Sequence, residues 1–171
     1  MSPGMNEETG KERELLEGHL DGNRAEVRRK AAGLSWEQAI TRLGPTPTSV
    51  AGIIKHLTDV ERWWFRHQLL AEDGVPFAWS DDVPDLEFEL SDDETLDGLL
   101  DAYDDACAES RAAAGGRELD DQIARTVNWL QGGRPSLRWV YLHMIEETSR
   151  HNGHLDIYRE LLDGTTDRDP S

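Results

Sequence analysis

The chain has one cysteine, about half as many basic as acidic residues, and no long apolar run. Its 171 residues include one cysteine, Cys107, so no disulfide can form within the chain, and a reducing cytoplasm is the location we expect. No window approaches the ~18 consecutive apolar residues of a membrane span. Residues 1–17 are polar and acidic, without the apolar core of a signal peptide. We therefore expect a protein with no membrane-spanning segment.

The shortage of basic residues limits the partners. Lys and Arg number 18 against 35 Asp and Glu, which gives a formal net charge of −17. Nucleic-acid affinity rests mainly on Lys and Arg that neutralise phosphates, so the charge argues against a nucleic-acid partner. It argues against an anionic membrane surface for the same reason. A small-molecule substrate remains the partner we expect.

The length is that of one domain, and hydrophobic periodicity divides it into four long helices. The expected helices span about 11–32, 49–72, 91–114 and 136–164, with a short helix at 35–42. Two capping boxes support this division, Ser35 with Gln38 and Ser91 with Glu94. Residues 124–129 favour either a short strand or an extended loop. The pattern predicts an all-α four-helix bundle over residues 11–164 with long second and third connections, and flexible segments at 1–10 and 165–171.

The last helix carries the most informative pattern of the chain, in the run LRWVYLHMIEETSRHNGHLDIYRELLD at 137–163. At 100° per residue, one stripe of this helix holds five polar or aromatic side chains: His143, Glu147, His151, His154 and Tyr158. The i,i+4 spacing of Glu147 and His151 puts their Cβ atoms roughly 5–6 Å apart. Two side chains at this spacing can bind one metal ion, as the two histidines of a zincin helix do.

A third candidate ligand lies on the second long helix. His56, in the run GIIKHLTDVERWW, lies next to the aliphatic stripe, on an edge that can point into the bundle interior. Bundle interiors build metal sites from side chains on facing helices. His56, Glu147 and His151 would make a His₂Glu set, which zinc enzymes use with a fourth position left open. Non-haem iron sites use the same ligand types, so the ligands alone leave the metal undecided.

Other polar residues near this set keep more than one role open. His143 and His154 are candidates for a fourth ligand, a hydrogen-bond partner of a ligand or a proton shuttle, and equally for polar residues that fill the bundle end. Arg150 is a candidate for binding an anionic group of a substrate, with a surface salt bridge as the simpler interpretation. Asp59 is placed to orient the ring of His56.

The remaining conspicuous residues are interpreted as structural. Cys107 lies on an apolar stripe without an adjacent base, which favours a small core residue over a nucleophile. His19 and His67 show no partner spacing and are expected at the surface. Most tryptophans are expected in the core, although five of them are candidates for lining a pocket. The loop at 74–90 is longer than most connections, and such loops often cover a site.

Two runs resemble the DinB-like metalloprotein superfamily, most closely its mini-circle branch of unknown function: GIIKHLTDVERWWFR at 52–66 and EETSRHNGHLDIYRELLDG at 146–164. The resemblance covers about residues 12–164. It implies a four-helix bundle with a divalent metal near one end. The ligands would be a second-helix histidine, corresponding to His56, and two last-helix residues at i,i+4 spacing.

The chain departs from the commonest pattern of that superfamily at two points. Most members have histidine at both last-helix positions, whereas this chain has Glu147 followed by His151. The mycothiol-dependent maleylpyruvate isomerases share this departure. Many members read His-Arg-Gly-Gln from the last ligand, whereas this chain reads His-Asn-Gly-His at 151–154.

The resemblance also implies a class of activity. Characterised relatives are thiol-dependent enzymes that use mycothiol, bacillithiol or glutathione. We therefore expect a metal-dependent S-transferase or isomerase, with zinc as the leading metal, nickel, iron or manganese as alternatives, and a low-molecular-weight thiol as cosubstrate. In this assignment His154 and His143 are the catalytic candidates and Arg150 the substrate-binding one. A non-catalytic metal- or ligand-binding bundle and a metal-dependent hydrolase remain open, and a homodimer is compatible because relatives often dimerise.

Overall fold

The computed structural model describes residues 11–79, 82–83 and 85–166. Within these ranges the α-helices are α1 (Glu12–Ala31), a short α2 (Trp36–Ala39), α3 (Val50–Glu61), α4 (Leu96–Ala114) and α5 (Leu137–Leu162). Short 3₁₀ turns occur at Leu86–Phe88 and Asn128–Leu130. The described residues contain no strand, only the isolated bridges Gln122–Ser136 and Val127–Gly133. The all-α prediction is confirmed, and 124–129 is an extended loop running into a 3₁₀ turn.

Helix α1 packs along α5, and α3 packs against both α4 and α5. No helix of the described ranges is both long and apolar enough to cross a membrane. The segments predicted to be flexible, 1–10 and 165–171, lie outside the described residues except for Thr165 and Thr166. The backbone N–H of Thr165 donates to the carboxylate of Asp163 at 3.0 Å.

Serine side chains cap three of the described helices, at or next to their predicted starts. The backbone N–H of Gln38 donates to Oγ of Ser35 at 3.2 Å, and the side chain of Gln38 accepts from the N–H of Ser35 at 2.9 Å. This is the predicted capping box. Ser49 and Ser136 cap α3 and α5 in the same way, with their Oγ atoms accepting backbone N–H bonds of the first turn. Each cap satisfies an N–H that the helix itself leaves without a partner.

The predicted start of α4 at Ser91 is wrong by four residues, because the N-cap is Thr95. Oγ1 of Thr95 accepts the N–H of Gly98 at 3.2 Å. Glu94 does accept the N–H of Ser91 at 2.8 Å, but within a separate turn. The same carboxylate forms an ion pair with Lys55 of α3 at 2.9 Å, so it holds the connection onto the bundle.

The second long helix was predicted as one α-helix to residue 72, but its second half, Arg62–Leu69, is a π-helix. A π-helix bonds i to i+5, so every turn holds more side chains than an α-turn. The apolar pattern fits both geometries, which is why periodicity did not reveal the change. π-helical segments are rare, and those that occur often lie at functional sites.

The core consists of two apolar clusters with a buried polar layer between them. One cluster includes Val27, Leu57 and Leu155, and the other includes Leu20, Trp64 and Met144. Along each long helix, polar residues are buried at positions between the residues of one cluster and those of the other. They are Arg24 on α1, Glu61 on α3, Ser110 on α4, and Thr148, His151 and Asn152 on α5. On α5, His151 lies between Met144 of one cluster and Leu155 of the other.

Candidate metal centre

Three side chains from two helices meet in the polar layer. His56 comes from α3, and Glu147 and His151 come from consecutive turns of α5. Oε1 of Glu147 lies 3.2 Å from Nε2 of His56 and 3.2 Å from Nε2 of His151. One potential ligand atom from each residue lies within 4.8 Å of the other two. The structure thus brings together the three residues that the sequence singles out, and their role as metal ligands stays a prediction.

The donor set fits a divalent metal ion. A metal requires neutral imidazoles and an ionised carboxylate. Hydrogen bonds from His151 and His56 hold the pKa of the Glu147 carboxyl well below its usual range. Burial lowers the pKa of His151, which keeps its imidazole neutral near pH 7. Two imidazole nitrogens and one carboxylate suit zinc, and nickel, iron and manganese also accept such ligands.

Each of the three residues also has a neighbour at the polar atom that does not face the other two. Nδ1 of His56 lies 4.0 Å from Oε1 of Glu87, and Nδ1 of His151 lies 3.4 Å from Nδ1 of His154. Oε2 of Glu147 accepts a hydrogen bond from Arg150 at 3.1 Å. Partners of this kind orient metal ligands and commonly influence affinity.

The segment around Glu87 was not identified from the sequence as part of the centre. The ring of Phe88 stacks on His56 with centroids 4.7 Å apart. The only sequence signal was the length of the 74–90 loop, which predicted that it covers a site. The described part of that loop does cover His56.

The other predicted site residues occupy different surroundings. His154 is exposed next to His151. Arg150 is half exposed and bonds to Glu147 and Glu146, which matches the salt-bridge interpretation. His143 stacks on Trp139 with centroids 5.0 Å apart, and burial lowers its pKa.

Asp59 does not serve the role proposed from the sequence. Its Oδ2 accepts the backbone N–H of Ala78 at 2.7 Å, so the carboxylate holds the loop that follows the π-helix. Burial raises the pKa of Asp59, against the opposing effect of that hydrogen bond. The expected contact with His56 is replaced by this backbone contact.

A large cavity of about 1000 Å³ adjoins the three residues, and His56 and Glu147 form part of its wall. Five further lining residues carry large aromatic rings: Trp63, Trp64, Phe77, Trp79 and Trp129. His143 lines the cavity, and so does His67, which was expected at the surface. Trp64 is buried as expected, but Trp79 and Trp129 are 48% and 59% exposed, so these two are not core residues.

Comparison with known proteins supports the fold and identifies the family. The structure is similar to the crystal structure of a conserved protein from Enterococcus faecalis, with a TM-score of 0.66 and 18% identity over 92% of this chain and 100% of that chain. That likeness supports the fold alone. No curated protein matches the chain. The family model described as mycothiol-S-transferase matches residues 15–164, nearly the whole bundle, and confirms the DinB-like resemblance. The chain therefore belongs to the mycothiol-S-transferase family.

Proposed function

We propose that this protein is a metal-dependent S-transferase that joins the sulfur of mycothiol to a small electrophilic molecule. His56, Glu147 and His151 hold a divalent metal, with zinc first among the candidates. Family membership supports the choice of mycothiol, and the donor set supports the metal.

The observation that carries the proposal is the convergence of two imidazole Nε2 atoms on one carboxylate oxygen beside a large cavity. A bound divalent metal supplies an electrophilic centre that favours the thiolate form of a coordinating thiol. The chain supplies three donors, which leaves a position for a further ligand. Because His56 and Glu147 line the cavity, a small molecule within it lies next to the centre.

The surrounding residues have separate roles in this proposal. His143 lines the cavity and has a lowered pKa, so its neutral imidazole is available to accept a proton near pH 7. Arg150 holds Oε2 of Glu147, which leaves Oε1 directed at the two histidines. His154 is a positioning residue that contacts the outer nitrogen of His151.

The ligand assignment is tested with His151→Ala, purified without a histidine tag. We expect wild-type protein to carry stoichiometric metal by elemental analysis and His151→Ala to carry almost none. Far-ultraviolet circular dichroism should remain helical in both. His19→Ala, which removes an exposed imidazole of α1, is the matched control and should keep its metal. Stoichiometric metal in His151→Ala would contradict the assignment.

The activity is tested by incubating zinc-loaded protein with mycothiol and a chromogenic aryl halide. Wild-type protein should accelerate formation of the S-aryl conjugate, with release of the halide ion and the thiol proton, and His151→Ala should not. His143→Gln should keep its metal but lower kcat by about 100-fold, the lower end of the contribution of a positioned general base. Turnover of ester or amide substrates without any thiol would favour hydrolysis and count against the S-transferase.

A further inference from the structure

Beyond His56, along the π-helix that follows α3, the cavity is lined by aromatic side chains, which we call its aromatic region. The rings of Trp63 and Trp79 lie 6.5 Å apart, and those of Trp64 and Trp129 lie 6.2 Å apart at nearly right angles. Trp79 and Trp129 leave about half of their surface exposed although both line a concave site. Concave sites with aromatic side chains in their walls are typical of small-molecule binding.

Gln68 is a polar residue of this region whose side-chain oxygen has no hydrogen-bond partner among the described residues. Gln68 is 5% exposed, and this oxygen, Oε1, is buried. Buried side-chain polar atoms are nearly always paired, so an exception calls for an explanation. Gln68 lines the cavity, so a rotation of its side chain can bring the amide to a ligand there.

The backbone carbonyl of Gln68 accepts two hydrogen bonds, whereas its side-chain oxygen has none among the described residues. Its carbonyl oxygen accepts the N–H of Ala124 at 3.0 Å and the N–H of Arg125 at 3.1 Å, which joins the π-helix to the loop before α5. The terminal torsion of a glutamine is broad. The amide can therefore rotate and present either its oxygen or its NH₂ group to a molecule in the cavity.

The charges around the cavity disfavour an anionic ligand. Carboxylates of Asp59, Glu87 and Glu147 line it. The guanidinium of Arg125 also lies there, but it donates to the carbonyl oxygens of His67 and Ala71 and pairs with Asp73 at 2.5 Å. An anion in the cavity would therefore be repelled by these carboxylates, and the guanidinium of Arg125 already has other partners.

We propose that the aromatic region of the cavity binds a neutral, planar aromatic molecule, and that the amide of Gln68 hydrogen-bonds to a polar group on that molecule. Trp79 and Trp129 pack on its faces or edges, as aromatic rings do at 4.5–7 Å separation. The bound molecule is the electrophile of the transfer reaction, and this last identification rests on the proposed function. The binding itself requires neither metal nor thiol.

Isothermal titration calorimetry of the full chain, stripped of metal, tests the binding with 2-naphthol as the neutral probe. We expect one site for 2-naphthol and much weaker binding of 2-naphthoate. A Trp79→Ala/Trp129→Ala variant should bind 2-naphthol at least ~10-fold more weakly, since two aromatic contacts are lost. The control is Leu161→Ala, which removes an apolar side chain that is 66% exposed on α5 and does not line the cavity. It should bind like wild type.

Gln68→Leu tests the hydrogen bond. We expect about 3–10-fold weaker binding of 2-naphthol, the usual range for one neutral hydrogen bond. Binding of 2-methylnaphthalene, which lacks the hydroxyl group, should change by less than about twofold. Replacing an unpartnered buried amide with an apolar side chain of similar size should leave thermal stability equal or higher. Gln68→Met is the second variant, should Gln68→Leu fail to fold.

Three results would overturn the inference: 2-naphthoate bound as tightly as 2-naphthol, full affinity in the double tryptophan variant, or unchanged 2-naphthol affinity in the folded Gln68 variant. Metal content of the same preparations separates this inference from the proposed function. Protein without metal affinity that still binds 2-naphthol in the expected order would refute the metal centre and support the aromatic site.

Discussion

The ring of Phe88 stacks on the imidazole of His56, with centroids 4.7 Å apart and planes inclined by 21°. Phe88 ends the 3₁₀ turn Leu86–Phe88, which packs on α3. A Cβ atom built on Gly52, one turn before His56, would lie 2.9 Å from the carbonyl oxygen of Phe88. Lys55 holds the next residue by donating to the carbonyl oxygen of Glu89 at 2.7 Å. The absence of a side chain at Gly52 and the hydrogen bond from Lys55 thus allow this segment to contact His56, the candidate ligand.

Gly52→Ala should displace the segment that covers His56. The new methyl group meets backbone rather than a flexible side chain, so we expect a loss of about 1–3 kcal/mol in the free energy of unfolding. Zinc affinity should fall as well, because Phe88 and Glu87 no longer constrain the imidazole. Urea unfolding and a zinc titration of stripped protein measure the two effects.

The matched control is Gly153→Ala, in the middle of α5 with nothing within 4 Å of the new Cβ. This change should stabilise the protein by up to about 1 kcal/mol, the difference in helix propensity between the two residues. If both variants unfold at the same urea concentration and bind zinc equally, the packing of Phe88 on Gly52 has no part in the site.

Local signals in the sequence predict the helices and the proximity of Glu147 and His151 well. Ser35, Ser49 and Ser136 cap helices where expected because a cap depends on neighbouring residues alone. The i,i+4 spacing of Glu147 and His151 fixes their proximity within one helix. Adding His56 required a facing helix, and the bundle prediction supplied it.

The parts that the sequence does not predict depend on contacts between distant segments. Glu87 and Phe88 reach His56 through a loop whose path is set by Lys55, Gly52 and Asp59, and no local pattern encodes that path. The π-helical turns that bring Gln68 to the cavity follow an apolar pattern that also fits an α-helix. The sequence pattern does not separate Ser91 from Thr95 as the cap of α4, because serine and threonine both cap helices and only Thr95 does so here.

Arg24 and Glu61 form a buried ion pair in the polar layer, with two hydrogen bonds of 2.8 and 2.6 Å and exposures of 6% and 1%. Arg24→Met should lower the free energy of unfolding by about 3–5 kcal/mol, because it leaves a buried carboxylate without its cation. Arg24→Met/Glu61→Leu should recover most of that loss, since both charges are gone. Urea unfolding of the two variants measures the difference.

The control for this pair lies one turn further along α1. Arg28 pairs with Asp104 at 2.7 Å, but both side chains are about half exposed. Arg28→Met should therefore cost less than about 1 kcal/mol. Equal losses in Arg24→Met and Arg28→Met would mean that burial does not set the strength of these pairs.

The stability of the metal-free protein should fall as the solution becomes acidic. Burial lowers the pKa values of His143 and His151 below the ordinary 6.5, so between those values the unfolded chain binds more protons than the folded one. The contribution is complete above about pH 6.5 and is lost as the pH falls through the folded-state values. Below about pH 4.5, protonation of Glu147 adds a further loss, because hydrogen bonds from His151 and His56 lower its pKa.

Urea unfolding at pH 7.5 and pH 5.5 tests this dependence. The free energy of unfolding should be lower at pH 5.5, and His143→Gln should show a shallower change between the two values. His19→Gln is the matched removal of one imidazole at an exposed position on α1. Stability that rises on acidification across this range would show that His143 and His151 are charged in the folded protein.

Cys107 should be inert in the folded protein. It is 3% exposed, and burial, with the charge of Glu61 as a second cause, raises the pKa of its thiol to about 12. Because only the thiolate reacts, labelling by a disulfide reagent near pH 8 should be at least ~1000-fold slower in native protein than in urea-unfolded protein. Rapid stoichiometric labelling of native protein would contradict this. An inert Cys107 leaves the chain without a reactive thiol of its own, so any sulfur that the protein transfers must enter with a cosubstrate.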